Sequence, residues 1–333
     1  MRAVLAALGA NLGIALTKFV AFAITGSASM LAEGVHSVAD SGNQALLIVG
    51  RRRARREETR EHPFGYGAER YFYAFLVAVV VFTVGAVFSG YEGIQRIRHP
   101  EKLTSPAVAF AVLGVAIVLE GFSLWNAVRE AGPSRGRVSW LAFIRRSKAP
   151  ELPAVLLEDV AALSGLLLAL IGVTVATLTH DDRYDAAGSI AIGVLLGCVA
   201  VVLAIEMKSL LIGESASPGM QAAIVAAIES GPDAQRVIHL RTLHIGPDTL
   251  LVAAKIAVRR DDTASGVAAS IDAAERRVRA AVPIAALIFL EPDVYQAGRA
   301  DITDPAIHSA RAARRLSLRS AALARRAARR RPH

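Results

Sequence analysis

Six apolar windows, each about twenty residues long, leave this chain few ways to fold. They run over Val4–Thr25, Ser29–Gly50, Arg70–Ile94, Ser105–Val128, Leu152–Thr179 and Ala186–Ile212. A stretch of that length matches the hydrocarbon thickness of a bilayer when helical, and a lipid-embedded backbone must satisfy its own hydrogen bonds. The sequence therefore predicts six transmembrane helices. Arg2 ahead of an apolar run with small residues at Gly26–Ser29 imitates a signal peptide, but Asn11 and Lys18 interrupt the run and a second span follows at once, so it is read as a retained first helix.

The loops orient the spans. Arg51, Arg52, Arg53, Arg55, Arg56 and Arg60 lie between the second and third windows, and Arg129, Arg135, Arg137, Arg145, Arg146 and Lys148 between the fourth and fifth. The remaining connections, near Gly26, Pro100 and Asp182, are poorer in cations, so the positive-inside bias puts both termini in the cytoplasm. The lone cysteine, Cys198, sits in an apolar run and rules out an internal disulfide framework.

Beyond Gly213 the pattern turns globular. Helical periodicity over Pro218–Ser230, strand patterns over Val237–His244 and Leu250–Val258 joined at Gly246-Pro247-Asp248, an amphipathic helix over Thr263–Val282 and a strand over Ala286–Leu290 predict a small α+β unit. The expected division is 1–213 for the membrane domain, 214–296 for a cytosolic domain suited to docking or sensing, and 297–333 for an arginine-rich tail. That tail supplies most of the formal net charge of +9. It reads as solvated and disordered, with an alternative as a helix on anionic headgroups; nucleic-acid binding is disfavoured because no aromatic residue is interleaved with the charge.

Chemistry concentrates in the second and fifth windows. Glu33, His36 and Asp40 recur at three- and four-residue steps, which puts them on one helix face, and ionisable groups inside a span mark a pathway or an ion site. Glu158 and Asp159 are neighbours in the fifth window and point about 100° apart, so at most one of them is expected to face a common cavity fully. Imidazole with carboxylates suits zinc, and iron or manganese tolerate the same donors. His36, Asp40 and Asp159 form the expected metal set, with the fourth donor left between Glu158, Glu33 and water. The alternatives are a buried, hydrogen-bonded His36, a water-facing Glu33, and for Glu120 a partner in a basic loop or Asn11. Asn11 and Asn43 are read as interhelical hydrogen bonders, and Glu206 as interfacial. No phosphate-binding glycine loop or nucleophile elbow is present, so an enzyme is not expected, nor a prosthetic group.

Four segments in order, Thr25-Gly26-Ser27, His36-x-x-x-Asp40, His62-Pro63-Phe64-Gly65-Tyr66-Gly67, and Leu240-Arg241-Thr242 followed by Gly246-Pro247, resemble the cation diffusion facilitators. The resemblance covers about Leu8 to Pro292 and implies a proton-coupled exporter of divalent metal, a ferredoxin-like cytosolic domain, a homodimer through that domain, and a transport site shared by the second and fifth helices. Members commonly carry His or Asp where this chain has Val155, and the adjacent Glu158-Asp159 pair resembles a divergent zinc-transporter branch. A second loop histidine is replaced by Tyr66, leaving His62 alone as an accessory candidate. Cytosolic zinc positions of some relatives correspond to Ile238, Ala254, Phe289 and Glu291, so no binuclear site is expected there, with His239 and His244 left as weak ligands. The expectation is zinc efflux across a plasma membrane, with iron or manganese export, a passive cation channel and a non-transporting metal receptor or scaffold as the rival readings.

Overall fold

The computed structural model describes residues 2–100, 105–136, 138–231 and 236–295, without the side chains of residues 2–11, 81, 134 and 146. The arginine-rich tail and the side chain of Asn11 lie outside the described residues. The chain divides into two compact units at Leu211 and Ile212.

The first unit is a bundle of long helices. These are α1 (Arg2–Thr25), α2 (Ala28–Arg53), a rod built from α3 (Glu69–Leu76), a π-helical turn (Val77–Val81) and α4 (Phe82–Arg98), then α5 (Pro106–Arg135), α7 (Glu151–Thr179) and α8 (Arg183–Ile212). A short α6 (Trp140–Arg146) crosses the second basic loop. By length and composition Glu69–Arg98, Pro106–Pro133, Glu151–Thr179 and Arg183–Ile212 are apolar enough to cross a membrane. α1 and α2 have 24 and 26 residues, about 36–39 Å at ~1.5 Å per residue, and α2 is less apolar because of its polar stripe. Large apolar side chains point outward along the rods: Val87 is 66% exposed, Val118 70%, Leu178 75% and Ile205 62%. In water such a surface would be an aggregation liability; against acyl chains it is the expected boundary. Cys198 is exposed on this outer surface.

Local chemistry sets the helix ends. The Ser27 side chain accepts from the Met30 N–H and caps α2, while Arg51, Arg52 and Arg53 occupy its last turn, where cations oppose the macrodipole. Gly26, at φ 67°, makes the left-handed turn between α1 and α2. Asp185 at the start of α8 accepts from Ser27 Oγ (2.8 Å) and the Ala28 N–H (2.6 Å), and the Ser29 hydroxyl donates to the Asp185 carbonyl (2.8 Å). The N-terminus of α2 is thereby pinned to α8. At the other end of the rods Arg70 pairs with Glu151 at 2.6 Å, and Arg145 lies 3.9 Å from the half-buried Glu206.

The second unit runs α9 (Pro218–Glu229), β1 (Arg236–Gly246), β2 (Thr249–Ala257), α10 (Ala264–Ala281), β3 (Ala285–Asp293). The sheet order is β1-β2-β3, with β1 and β2 antiparallel and β2 and β3 parallel, as a crossover through α10 requires. Ile224 and Ile228 of α9, Leu240, Val252 and Ile256 of the sheet and Val278 of α10 close one core. Pro218 opens α9 and the Ser217 and Thr263 side chains cap α9 and α10. The expected element order and strand limits agree with these to within one to three residues at each end.

Candidate metal site in the membrane unit

Three helices bring carboxylates to one cavity of about 160 Å³. α2 contributes Ser37, Asp40 and Gln44, α5 contributes Glu120 and Ser123, and α7 contributes Glu158 and Asp159. The α2 residues follow the three- and four-residue steps of one helix face, and the period predicted from Glu33, His36 and Asp40 recurs here one turn on. Asp40 and Asp159 are nine-tenths buried and Glu158 is 4% exposed. Four acidic side chains in so small a space, inside an apolar bundle, make a cation sink.

The polar contacts are few. Ser123 Oγ donates to Asp159 Oδ1 (3.2 Å), while Asp159 Oδ2 is buried and has no hydrogen-bond partner. Asn43 Nδ2 donates to Glu158 Oε2, the interhelical role expected of Asn43. His36 is 1% exposed, with Nδ1 3.6 Å from Asp40 Oδ1 and Nε2 unpartnered. It is not part of the cavity lining. Among the described residues no three His, Cys, Asp or Glu side chains stand close enough together to hold a metal ion in this arrangement.

Several expectations require correction. Glu158 and Asp159 both line the cavity, where at most one was expected to face it fully, although the two positions point roughly 100° apart on the helix. Glu33 is fully buried and does not face water: its Oε2 pairs with Lys18 Nζ of α1 at 3.0 Å, and Lys18 also donates to Ser37 Oγ at 2.8 Å. Glu120 faces the cavity and not a basic loop. The sequence marks Glu120 as an ionisable residue inside the fourth window, but with no acidic or imidazole neighbour one turn away nothing there pointed it to the cavity.

The accessory candidates lie elsewhere. His62 is exposed in the loop after α2, edge-on to Tyr66 with centroids 4.6 Å apart. In the second unit His239 lines a broad groove with Arg241, Lys255, Phe289 and Glu291, whereas His244 is buried at 3% exposure. Hydrogen bonds to Glu291, then Asp293, hold the Lys255 ammonium above the ordinary lysine range.

The bundle and its acidic cavity are those of a polytopic membrane protein. Residues 4–212 match the cation efflux transmembrane domain, and the chain belongs to the cation efflux family. It is 36% identical over 225 residues to the proton-coupled zinc antiporter SLC30A9, mitochondrial, of Xenopus laevis, covering 67% of this chain and 40% of that protein. It is 31% identical over 257 residues to metal tolerance protein C4 of Arabidopsis thaliana, covering 77% of this chain and 56% of that protein. The chain thus spans between two fifths and somewhat over half the length of these relatives. Among solved structures, MamM CTD in its copper form aligns with 26% of this chain and 90% of its own, at 24% identity and a TM-score of 0.23.

Proposed function

We propose that this chain exports a divalent metal cation, zinc first, in exchange for protons, by alternating access through the cavity shared by α2, α5 and α7. The observation that carries the proposal is the Asp159 carboxylate: buried in the bundle, lining the cavity beside Asp40 and Glu158, with one oxygen lacking any partner. An acceptor left bare at that depth is costly unless a cation or a proton occupies it in the working cycle.

In this reading Asp40, Glu158 and Asp159 supply oxygens and His36 turns its unpartnered Nε2 to complete the set. The metal requires a neutral imidazole and ionised carboxylates, so its entry expels protons; protons arriving from the opposite side reclaim the same groups and displace the metal. The bundle exposes the site to one side at a time, and an inward proton gradient then drives efflux. The arginine-rich loops point toward the cytoplasm, in a plasma membrane or another energised membrane, and the second unit joins two copies as a homodimer. The similarity to antiporters named for zinc supports zinc over iron and manganese.

The test is proton release. Zinc added to purified protein in weakly buffered detergent should release protons, and Asp159→Asn should abolish the release together with binding. Zinc bound without any proton release would favour a passive cation pathway.

A further inference from the structure

A lysine at 1% exposure inside a membrane helix is rare, because an ammonium in lipid is tolerated only when it is paired or reaches water. Lys18 is paired. Its Nζ sits 3.0 Å from Glu33 Oε2 and 2.8 Å from Ser37 Oγ, so α1 is tied to two positions of α2 one turn apart. Around it on the α5 side lie the apolar walls of Val112, Ala116 and Leu119, and the Glu120 carboxylate of the same helix is near enough to feel its charge without bonding to it. The second oxygen of Glu33 packs on Gly165 of α7, where any Cβ would collide with it. Ser37 is itself part of the wall of the acidic cavity, one turn before Asp40.

We infer that Lys18 is a tethered cation of the metal site: its ammonium takes up Glu33 and the Ser37 hydroxyl, so that only the carboxylates of Asp40, Glu120, Glu158 and Asp159 remain for the cargo. This rests on the proposed reading of the cavity as a metal site. Lys18 touches no metal in this arrangement; it is a positioning residue that sets the charge the cargo meets. The pair is neutral as a unit, and breaking it on the Glu33 side leaves an unbalanced positive charge beside the cavity wall, which opposes entry of a divalent cation.

The experiment is a double-mutant cycle on zinc affinity, measured by equilibrium dialysis of zinc chloride against the full-length protein in detergent, with elution profile and helicity recorded for each variant. Glu33→Gln is expected to weaken zinc binding by about tenfold or more. Lys18→Met/Glu33→Gln, which removes both charges, is expected to return affinity to within about threefold of the parent, a rescue that a purely structural role for the pair would not give. Glu33→Gln at parental affinity, or a double variant as weak as Glu33→Gln, overturns the inference. Should Glu33→Gln misfold, Lys18→Met takes its place: it frees Glu33 and is expected to tighten zinc binding by about tenfold, and unchanged affinity overturns the inference. Asp159→Asn separates the two readings: binding lost in Asp159→Asn but indifferent to Glu33→Gln refutes only the role of Lys18, whereas a parent protein that binds no zinc refutes the metal site and this role together.

Discussion

Asp185→Ala should release the N-terminus of α2 from α8. The carboxylate accepts from Ser27 Oγ at 2.8 Å and from the Ala28 N–H at 2.6 Å, and Asp185 is 4% exposed. The Ala28 N–H belongs to the first turn of α2 and has no intrahelical acceptor, so water or nothing replaces the lost oxygen. Two bonds to a buried charge would contribute about 3–6 kcal/mol on soluble-protein figures. Interhelical bonds in membranes average only about 0.6 kcal/mol, a floor near 1 kcal/mol for the two. The buried N–H weights the expectation toward the middle, a loss of about 2–3 kcal/mol, with the favourable interaction of a carboxylate at a helix N-terminus included. Asp185→Asn keeps one acceptor and turns an NH₂ on the other donor, so roughly half the loss is expected. The assay is an SDS titration in mixed micelles followed by tryptophan fluorescence, because the chain has 2 tryptophans and both, Trp125 and Trp140, are in the membrane unit. In a cycle with Ser27→Ala the two losses should couple by about 1 kcal/mol. Additivity within about 0.3 kcal/mol would refute the clamp.

Other perturbations read different parts of the molecule. Gly93→Ala should loosen the contact of α4 with α8 by about 1–3 kcal/mol, because a Cβ there would stand 2.7 Å from the Ala186 carbonyl oxygen, whereas Gly114→Ala, with nothing within 4 Å, should leave the same SDS midpoint unchanged. Glu120→Gln should lower zinc flux about tenfold with little change in that midpoint, since it removes a cavity charge while keeping the shape of the side chain. Lys255 has a folded pKa raised by Glu291 and Asp293, so its stabilising contribution is fully present below the ordinary lysine value of about 10.4 and is lost as pH rises through the folded value. Lys255→Met should therefore shift the thermal midpoint of the full chain equally at pH 6 and pH 9, and a difference between them would contradict the assignment.

The rods and the small α+β unit were legible because their signals are long and local: apolar runs, a polar stripe on α2, and alternating strands beside Gly246-Pro247-Asp248. The cavity was half legible. Spacing placed His36 and Asp40 on one face, yet the stripe that lines the space is Ser37, Asp40 and Gln44, and periodicity does not fix where an imidazole turns. Glu120 and Lys18 were visible as charges in apolar windows, but not their partners. Each is a solitary charge whose meaning comes from another helix, α2 for Lys18 and the α2 and α7 carboxylates for Glu120, and no spacing within its own window announces the partner. The π-helical turn at Val77–Val81 lies in a run of Val and Ala without glycine or proline to mark it.

The central measurement is zinc uptake into proteoliposomes under an imposed pH gradient, with the parent protein beside Asp40→Asn and Asp159→Asn. Uptake that follows the gradient in the parent and is lost in both variants, at equal reconstituted protein, is the expected result; gradient-driven uptake persisting at the parental rate in either variant would contradict the placement of the transport site in this cavity.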